Sequence, residues 1–308
     1  MDDKAVIERE QVVTRKERAR RIAEIRLMAF AALHGEGQGF EPWRYFGELK
    51  ALEKRPMSIA FLEAQIATCV VGRIRPAKIV RAMQKLRKRR REQGEEDKFH
   101  QFEALLKSNL DTGTLSNHGY YRATFATLDH DEMWGQVGAH VKALNDAGYQ
   151  VFLNSGTLLG VVRDGRFIEH DDDIDLALVL NASSAAEAAA EWNGLKDKLG
   201  VIGVFDTDGD TVRGIHKLKS PNGCEIDLFP AWIEDDQVFV YPHTSGELGS
   251  ADVLPLKPCP VSGEPMPADP EKMLAQNYGP NWREPDPYFK FPWPQARKKF
   301  KDFLEAVE

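Results

Sequence analysis

The stretch NSGTLLGVVRDGRFIEHDDDIDL, residues 154–176, decides how this chain is read. Its end alternates acid and apolar residue: Asp173-Ile174-Asp175-Leu176. Successive side chains of a β-strand point to opposite faces. Asp171, Asp173 and Asp175 are therefore expected on one face, while Ile174 and Leu176 enter a core. Three carboxylates a few ångströms apart repel one another unless a cation lies between them. Hard oxygen ligands on a rigid strand suit Mg²⁺ or Mn²⁺, ions that keep part of their water and also take phosphate oxygens. An acidic run alone is most often a solvated turn, so the reading rests on what surrounds it. Upstream, Ser155-Gly156-Thr157 is a small turn opening a helix, where backbone N–H groups can receive a phosphate. Downstream, Cys224-Glu225-Ile226-Asp227-Leu228 repeats the alternation. Glu225 and Asp227 then share a face, and a neighbouring strand carrying Asp227 completes a three-carboxylate site.

Working outward, residues 149–153, 174–180, 201–205, 214–219, 224–232 and 238–241 read as strands. Residues 129–147 read as an amphipathic helix, capped by Asp129 with Glu132 three residues on and ended by Gly148. Residues 182–199 form an Ala-rich helix, and short helices are expected at 270–277 and 294–306. The chain before residue 120 is helical in character, with helices at 5–33, 44–54, 58–71 (capped by Ser58) and 76–91. Residues 92–98 read as a charged linker, and 99–128 show no clear period. The expected fold class is α+β: a mixed β-sheet with flanking helices over residues 121–308, preceded by a helical region over residues 1–120.

Residues 154–176 resemble the signature of the LicD/fukutin family of phosphotransferases, which belongs to the nucleotidyltransferase fold. That fold pairs a Gly and a small hydroxyl residue with an acid-hydrophobic-acid strand and a third acid on a later strand. Gly156-Thr157, Asp173-Ile174-Asp175 and Asp227 match these in turn. KLKSPNGCEIDLFP and the later NYGPNWREPDP fit the family as well, so the resemblance spans about residues 130–290. His170 stands where the family often has Trp. The resemblance implies transfer of a substituted phosphate (phosphocholine, glycerol phosphate or ribitol phosphate) from a CDP-activated donor to a hydroxyl of a glycan or lipid-linked glycan, with CMP leaving. It implies that Asp173 and Asp175 hold the metal. Asp227 ligates it too or takes the acceptor's proton, and Asp171 is a further ligand or a support behind the others. Metal is what phosphoryl chemistry needs to neutralise a pyrophosphate. Cations expected at the donor phosphates are Arg163, just after the turn, and Lys217 and Lys219, which share the face of Asp227 by parity. His216 faces the other way. Ser155 and Thr157 bond a phosphate or cap the turn.

The formal net charge of −7 is unevenly spread. Residues 73–91 hold ten basic residues and no acidic one, and taking that +10 from the total leaves −17 on the rest. Such a segment serves a partner or a surface. The expected surface is an anionic membrane face. Nucleic acid is disfavoured, because residues 73–91 lack the aromatic interleaving of single-strand binders. Two rivals follow from these features: an NTP-dependent nucleotidyltransferase, and a non-catalytic nucleic-acid-binding protein using the basic helix. Cys69, Cys224 and Cys259 are too scattered for a disulfide framework or a zinc ribbon. With no secretory h-region and no apolar run of spanning length, the chain reads as cytoplasmic, peripheral to the membrane's inner face. His100, His118 and His130 lack metal-ligand spacing. Residues 206–210 loosely resemble a calcium loop but read as a turn. Trp282, Tyr288, Phe289, Phe291 and Trp293 read as a packed C-terminal wrap.

Overall fold

The computed structural model describes residues 14–110, 124–126, 128–206, 212–220, 224–286, 289 and 291–307. The chain forms two compact units, Met1–Tyr121 and Arg122–Glu308.

The first unit is helical: α1 Arg15–Leu33, α2 Pro42–Ala51, α3 Ile59–Val71, α4 Pro76–Glu92 and α5 Glu96–Lys107. Thr14 caps α1 through a capping box with Glu17, and Ser58 caps α3 by accepting from the Phe61 N–H at 3.2 Å. Helix α3 is buried along Phe61–Val70 and packs against α1, α2 and α4. Its one charge, Glu63, is paired to Arg26 at 2.6 Å and to Arg90 at 2.5 Å, because a buried carboxylate without partners would cost several kcal/mol. Helix α5 replaces the expected linker and aperiodic stretch. Phe99, Phe102 and Leu106 fall on one face of it and are buried.

The second unit is a mixed sheet with helices about it. In order come α6 His130–Asp146, β1 Gln150–Leu153, α7 Ser155–Arg163, β2 Asp173–Val179, α8 Ala185–Val201, β3 His216–Leu218, β4 Glu225–Glu234, β5 Gln237–Val240 and β6 Thr244–Gly249. A short helix α9 Ser250–Val253, the ribbon β7 Lys257–Pro258 with β8 Pro265–Met266, and helices α10 Pro270–Tyr278, α11 Trp293–Lys299 and α12 Lys301–Ala306 follow. The sheet runs β1-β2-β4-β5-β6, and β3 pairs with the first half of β4 on the edge that β5 takes further along. Strands β2 and β4 are parallel and the other pairs antiparallel.

Ile174, Leu176, Ile226 and Leu228 are fully buried in one core with Phe152, Trp192 and Trp232. Each such side chain contributes about 1.5–3 kcal/mol, which holds β2 and β4 together although their other face carries like charges. A strand over 201–205 does not form. Helix α8 continues to Val201, its last carbonyls take the Ile202, Val204 and Phe205 N–H groups, and Gly203 turns the chain at φ +79°. Phe205 forms an isolated bridge to Leu218, with the Asp206 N–H bonded to the Lys217 carbonyl at 3.0 Å and the Lys219 N–H to the Val204 carbonyl at 2.8 Å. The C-terminal aromatics form a chain of ring contacts, Tyr278–Phe289, His243–Phe291 and Phe291–Trp293. Trp282 is buried, and Tyr288 lies outside the described residues. His118 and residues 207–210 are likewise outside them. No described helix is long and apolar enough to cross a membrane.

Candidate active site

The register of the parallel pair builds the site. Asp173 stands opposite Glu225, and Asp175 opposite Asp227. On the far side of β4, Lys217 of β3 stands opposite Asp227. Asp175, Asp227 and Lys217 thus form one row across three strands. The Lys217 ammonium donates to Asp227 Oδ1 at 2.5 Å and to Glu225 Oε2 at 2.7 Å. Like charges directly opposite destabilise a sheet, and this one lysine offsets part of that cost. Burial by itself would lower the Lys217 pKa, but the two carboxylates outweigh it and hold the ammonium above its usual range.

Helix α7 brings its first turn onto the same row. The Gly156 N–H donates to Asp175 Oδ2 at 2.8 Å. The Asp175 N–H donates to Thr157 Oγ1 at 2.9 Å, and the Asn154 N–H to the Asp175 carbonyl at 3.0 Å. Thr157 therefore ties the helix to the strand. Gly156 is required by close approach: a β-carbon there would lie 2.7 Å from Asp171 Oδ2 and 3.2 Å from Asp175 Oδ2. Ser155, at the helix start, has φ +42°, a left-handed conformation that costs a non-glycine residue free energy and recurs at functional sites. Ser155 Oγ and both side-chain polar atoms of Asn154 are buried and make no hydrogen bond. Two of these three atoms, Ser155 Oγ and Asn154 Nδ2, are donors left without a partner beside the start of α7.

Strand β2 begins at Asp173, so Asp171 projects from the preceding turn rather than from the strand, its N–H bonded to the Ile168 carbonyl at 2.9 Å. It still reaches the site, as its approach to Gly156 shows. Asp172 was not anticipated; carboxylate oxygens of Asp171, Asp172 and Asp173 lie within 4.8 Å of one another. Burial, then the charges of Asp173 and Asp175, push the Asp171 carboxyl well above its usual range. Burial, then Asp173 and Asp227, do the same to Asp175 against the Gly156 hydrogen bond. Burial raises Asp227 to about 6, with Lys217 opposing. Crowded carboxylates repel one another, and hard oxygens of this kind fit a divalent ion.

The remaining expected cations stand differently. Arg163 is largely buried and grips its own neighbour Asp164 through Nε at 2.9 Å and Nη2 at 2.7 Å. Lys219 lies just past β3 with an exposed side chain; its N–H bonds the Val204 carbonyl at 2.8 Å and its carbonyl meets His140 Nε2 at 2.7 Å. Of the two lysines, only Lys217 reaches the carboxylates. His216 faces the opposite side of the sheet, stacked on Trp192 with centroids 4.3 Å apart. Cys224 is a buried residue whose Sγ approaches the Asp172 carbonyl at 3.6 Å. Tyr278 of α10 was not anticipated as a site residue, although it is the Tyr of NYGPNWREPDP. Burial, then the charges of Asp175, Asp171 and Asp173, push its phenol well above its usual range, so it remains a hydrogen-bond donor beside the acids.

An acid-bearing pair of parallel strands met by a Gly-Thr helix start is the site of a nucleotidyltransferase-type domain. Residues 148–269 match the family described as LicD/FKTN/FKRP, nucleotidyltransferase domain. The human ribitol 5-phosphate transferase FKRP is 26% identical over 155 residues, which is 46% of this chain and 30% of that protein. The chain thus spans about a third of that relative's length. The solution structure of the antibiotic-resistance factor ANT(2'')-Ia is similar at 16% identity with a TM-score of 0.32, covering 58% of this chain and 92% of that one.

Proposed function

We propose that residues 121–308 form a metal-dependent phosphotransferase domain. It moves a substituted phosphate from a CDP-activated donor to a hydroxyl of a glycan or lipid-linked glycan, and residues 1–120 serve docking at the cytoplasmic face of a membrane. The observation that carries this reading is the row of Asp175 and Asp227 set against the unbonded polar atoms of Asn154 and Ser155. It joins a cation site to an anion site, which is what a pyrophosphate with its metal requires. The family match and the distant relationship to a ribitol 5-phosphate transferase support the same chemistry.

On this reading Asp173, Asp175 and Asp227, with Asp171 behind them, would hold Mg²⁺ or Mn²⁺, which supplies charge neutralisation to the donor's phosphates. Ser155 Oγ and Asn154 Nδ2, the donors at the start of α7 that have no partner, receive phosphate oxygens. Thr157 acts through Asp175 rather than on the donor. The acceptor hydroxyl oxygen forms a bond to the phosphorus that bears the substituent. The bond from that phosphorus to the bridging oxygen breaks, and CMP carries the electron pair away. Asp227 would either complete that metal set or, as the carboxylate on the neighbouring strand, take the hydroxyl proton. Lys217 holds Asp227 in place.

The test is product analysis. The chain is incubated with CDP-ribitol, CDP-glycerol or CDP-choline, a glycan acceptor and Mg²⁺, beside a D173A/D175A variant. Metal-dependent CMP release that the variant lacks is the expected result. Pyrophosphate released from CTP or UTP instead would make the domain a nucleotidyltransferase. No turnover of either donor class, with nucleic-acid binding intact in the variant, would overturn the catalytic reading.

A further inference from the structure

The basic helix α4 separates its residues cleanly. Ile79, Met83, Leu86 and Arg90 face inward, Arg90 to the buried Glu63. At 100° per residue, Lys78, Arg81, Lys85, Lys88 and Arg89 fall within one arc of about 100°, facing away from that buried side. Arg81, Lys85 and Lys88 are exposed. Arg81 and Lys85 have no ion-pair partner among the described residues, and Lys88 reaches only Glu92, at 3.9 Å. The helix thus turns Arg90 to the interior and presents Arg81 and Lys85, with Lys88 beyond them, as an exposed cationic stripe.

The stripe has an apolar companion that sequence spacing did not reveal. Helix α2 places Phe46 beneath the start of α4, with the Lys78 ammonium 5.2 Å and the Arg75 guanidinium 5.7 Å from the ring centroid. Trp43, one turn earlier on α2, packs edge-on against Phe46 at 6.2 Å and is 66% exposed. A large exposed indole next to the ring that Lys78 and Arg75 cover, with exposed cations further along α4, is the composition of an interfacial membrane anchor: the cations meet anionic headgroups and the indole enters the headgroup level.

We propose that the cationic face of α4 and Trp43 together dock this chain on an anionic phospholipid surface. Single-stranded nucleic acid is the less favoured occupant. Its binders interleave aromatics along the basic groove, whereas here one indole stands at one end of the stripe. The proposal holds whether or not the catalytic reading does, because it rests on the first unit alone.

The test is flotation of the full chain with vesicles of phosphatidylcholine alone, and with about one quarter phosphatidylglycerol, at low and high salt. Binding to the anionic vesicles alone, weakened by salt, is expected. Each cation near such a surface is worth about fivefold in affinity, so the R81E/K85E/K88E variant should lose at least about 100-fold. A control with the same charge change elsewhere, K196E/R297E/K298E, should retain binding; equal loss in the control would overturn the assignment to α4. W43S should weaken binding while leaving its salt dependence unchanged, and no effect of W43S would remove Trp43 from the surface. Circular dichroism checks that each variant is folded. Tighter binding to a single-stranded or duplex oligonucleotide than to the anionic vesicles, lost in R81E/K85E/K88E, would overturn the proposal in favour of nucleic acid.

Discussion

Gly156→Ala tests the site at the point where helix and strands meet, and its effects on stability and on function should have opposite signs. Gly156 lies in the first turn of α7, where alanine is the better helix former by up to about 1 kcal/mol. The added methyl would lie 2.7 Å from Asp171 Oδ2 and 3.2 Å from Asp175 Oδ2. Ordinary contact begins near 3.4 Å, so the Asp171 carboxylate must move by about 0.7 Å, several times the ~0.2 Å tolerance of a metal–ligand distance. Asp171 ends in a side chain that can turn, so the fold should survive, with a thermal midpoint unchanged or raised. Affinity for Mn²⁺ and the rate of CMP release should fall by about 10–100-fold, the usual consequence of disturbing groups that orient metal ligands. Titration calorimetry with Mn²⁺, a melting curve and a CMP assay measure the three quantities. A variant that binds Mn²⁺ and turns over within twofold of the parent would refute the convergence of these carboxylates on Gly156.

Lys217→Met removes the ammonium bonded to Glu225 and Asp227 and leaves the two carboxylates on β4 without it. A loss of about 3 kcal/mol in urea denaturation is expected where Asp227 is ionised in both proteins; without the lysine Asp227 titrates above the parent's value of about 6, so the gap should shrink as pH falls towards 6, and a loss below 1 kcal/mol at high pH would deny the lysine this role. His243 is buried against Phe291 and Tyr278, and burial lowers its pKa from 6.5 to about 3. The unfolded chain takes up a proton below pH 6.5 that the folded chain refuses until about pH 3, so this contribution is intact above 6.5 and is lost as pH falls. By pH 5 the loss is about 2 kcal/mol. His243→Asn should therefore narrow its stability gap to the parent by that amount between pH 7 and pH 5, and parallel curves over this range would contradict the buried neutral imidazole.

What the sequence made legible follows from the period of a strand. Because side chains alternate, Asp173 and Asp175 could be put on one face of their strand, and Glu225 with Asp227 on one face of theirs, from parity alone. Which strands lie side by side is a tertiary choice. Nothing local tells that β2 and β4 pair in parallel with Asp175 opposite Asp227, and that pairing is what makes one site of two motifs. Arg163 was legible as a cation near the turn, but not its capture by Asp164, which depends on where the helix stops. Helix α5 went unread although Phe99, Phe102 and Leu106 keep helical spacing, since the charged run before them hid its start. Strand β6, Thr-Ser-Gly-Glu-Leu-Gly, has too few apolar residues to announce itself, as suits an edge strand. Tyr278 lies a hundred residues from the acids it faces, and only the folded chain brings it there.

The crowding of the acids leads to a last prediction, about protons. Asp171, Asp172, Asp173, Asp175, Glu225 and Asp227 converge, and Lys217 is bonded to two of them. In the metal-free chain part of that charge is suppressed by protonation: Asp227 titrates near 6, and Asp171 and Asp175 are raised well above their usual range. Each raised carboxyl costs stability once it ionises. For Asp227 the cost above pH 6 is about 3 kcal/mol relative to an ordinary aspartate. A divalent ion can bind only the ionised form, so binding must expel protons, and it should also return the stability that ionisation removed. Below about pH 6 the apparent affinity for Mn²⁺ should therefore fall about tenfold per pH unit for each proton displaced. The binding heat at pH 6 should differ between buffers of unlike ionisation enthalpy, and Mn²⁺ should raise the melting temperature more at pH 7 than at pH 5. An affinity flat from pH 5 to pH 7, with heats independent of buffer, would mean that the carboxylates are already ionised and that the metal, if it binds, binds elsewhere.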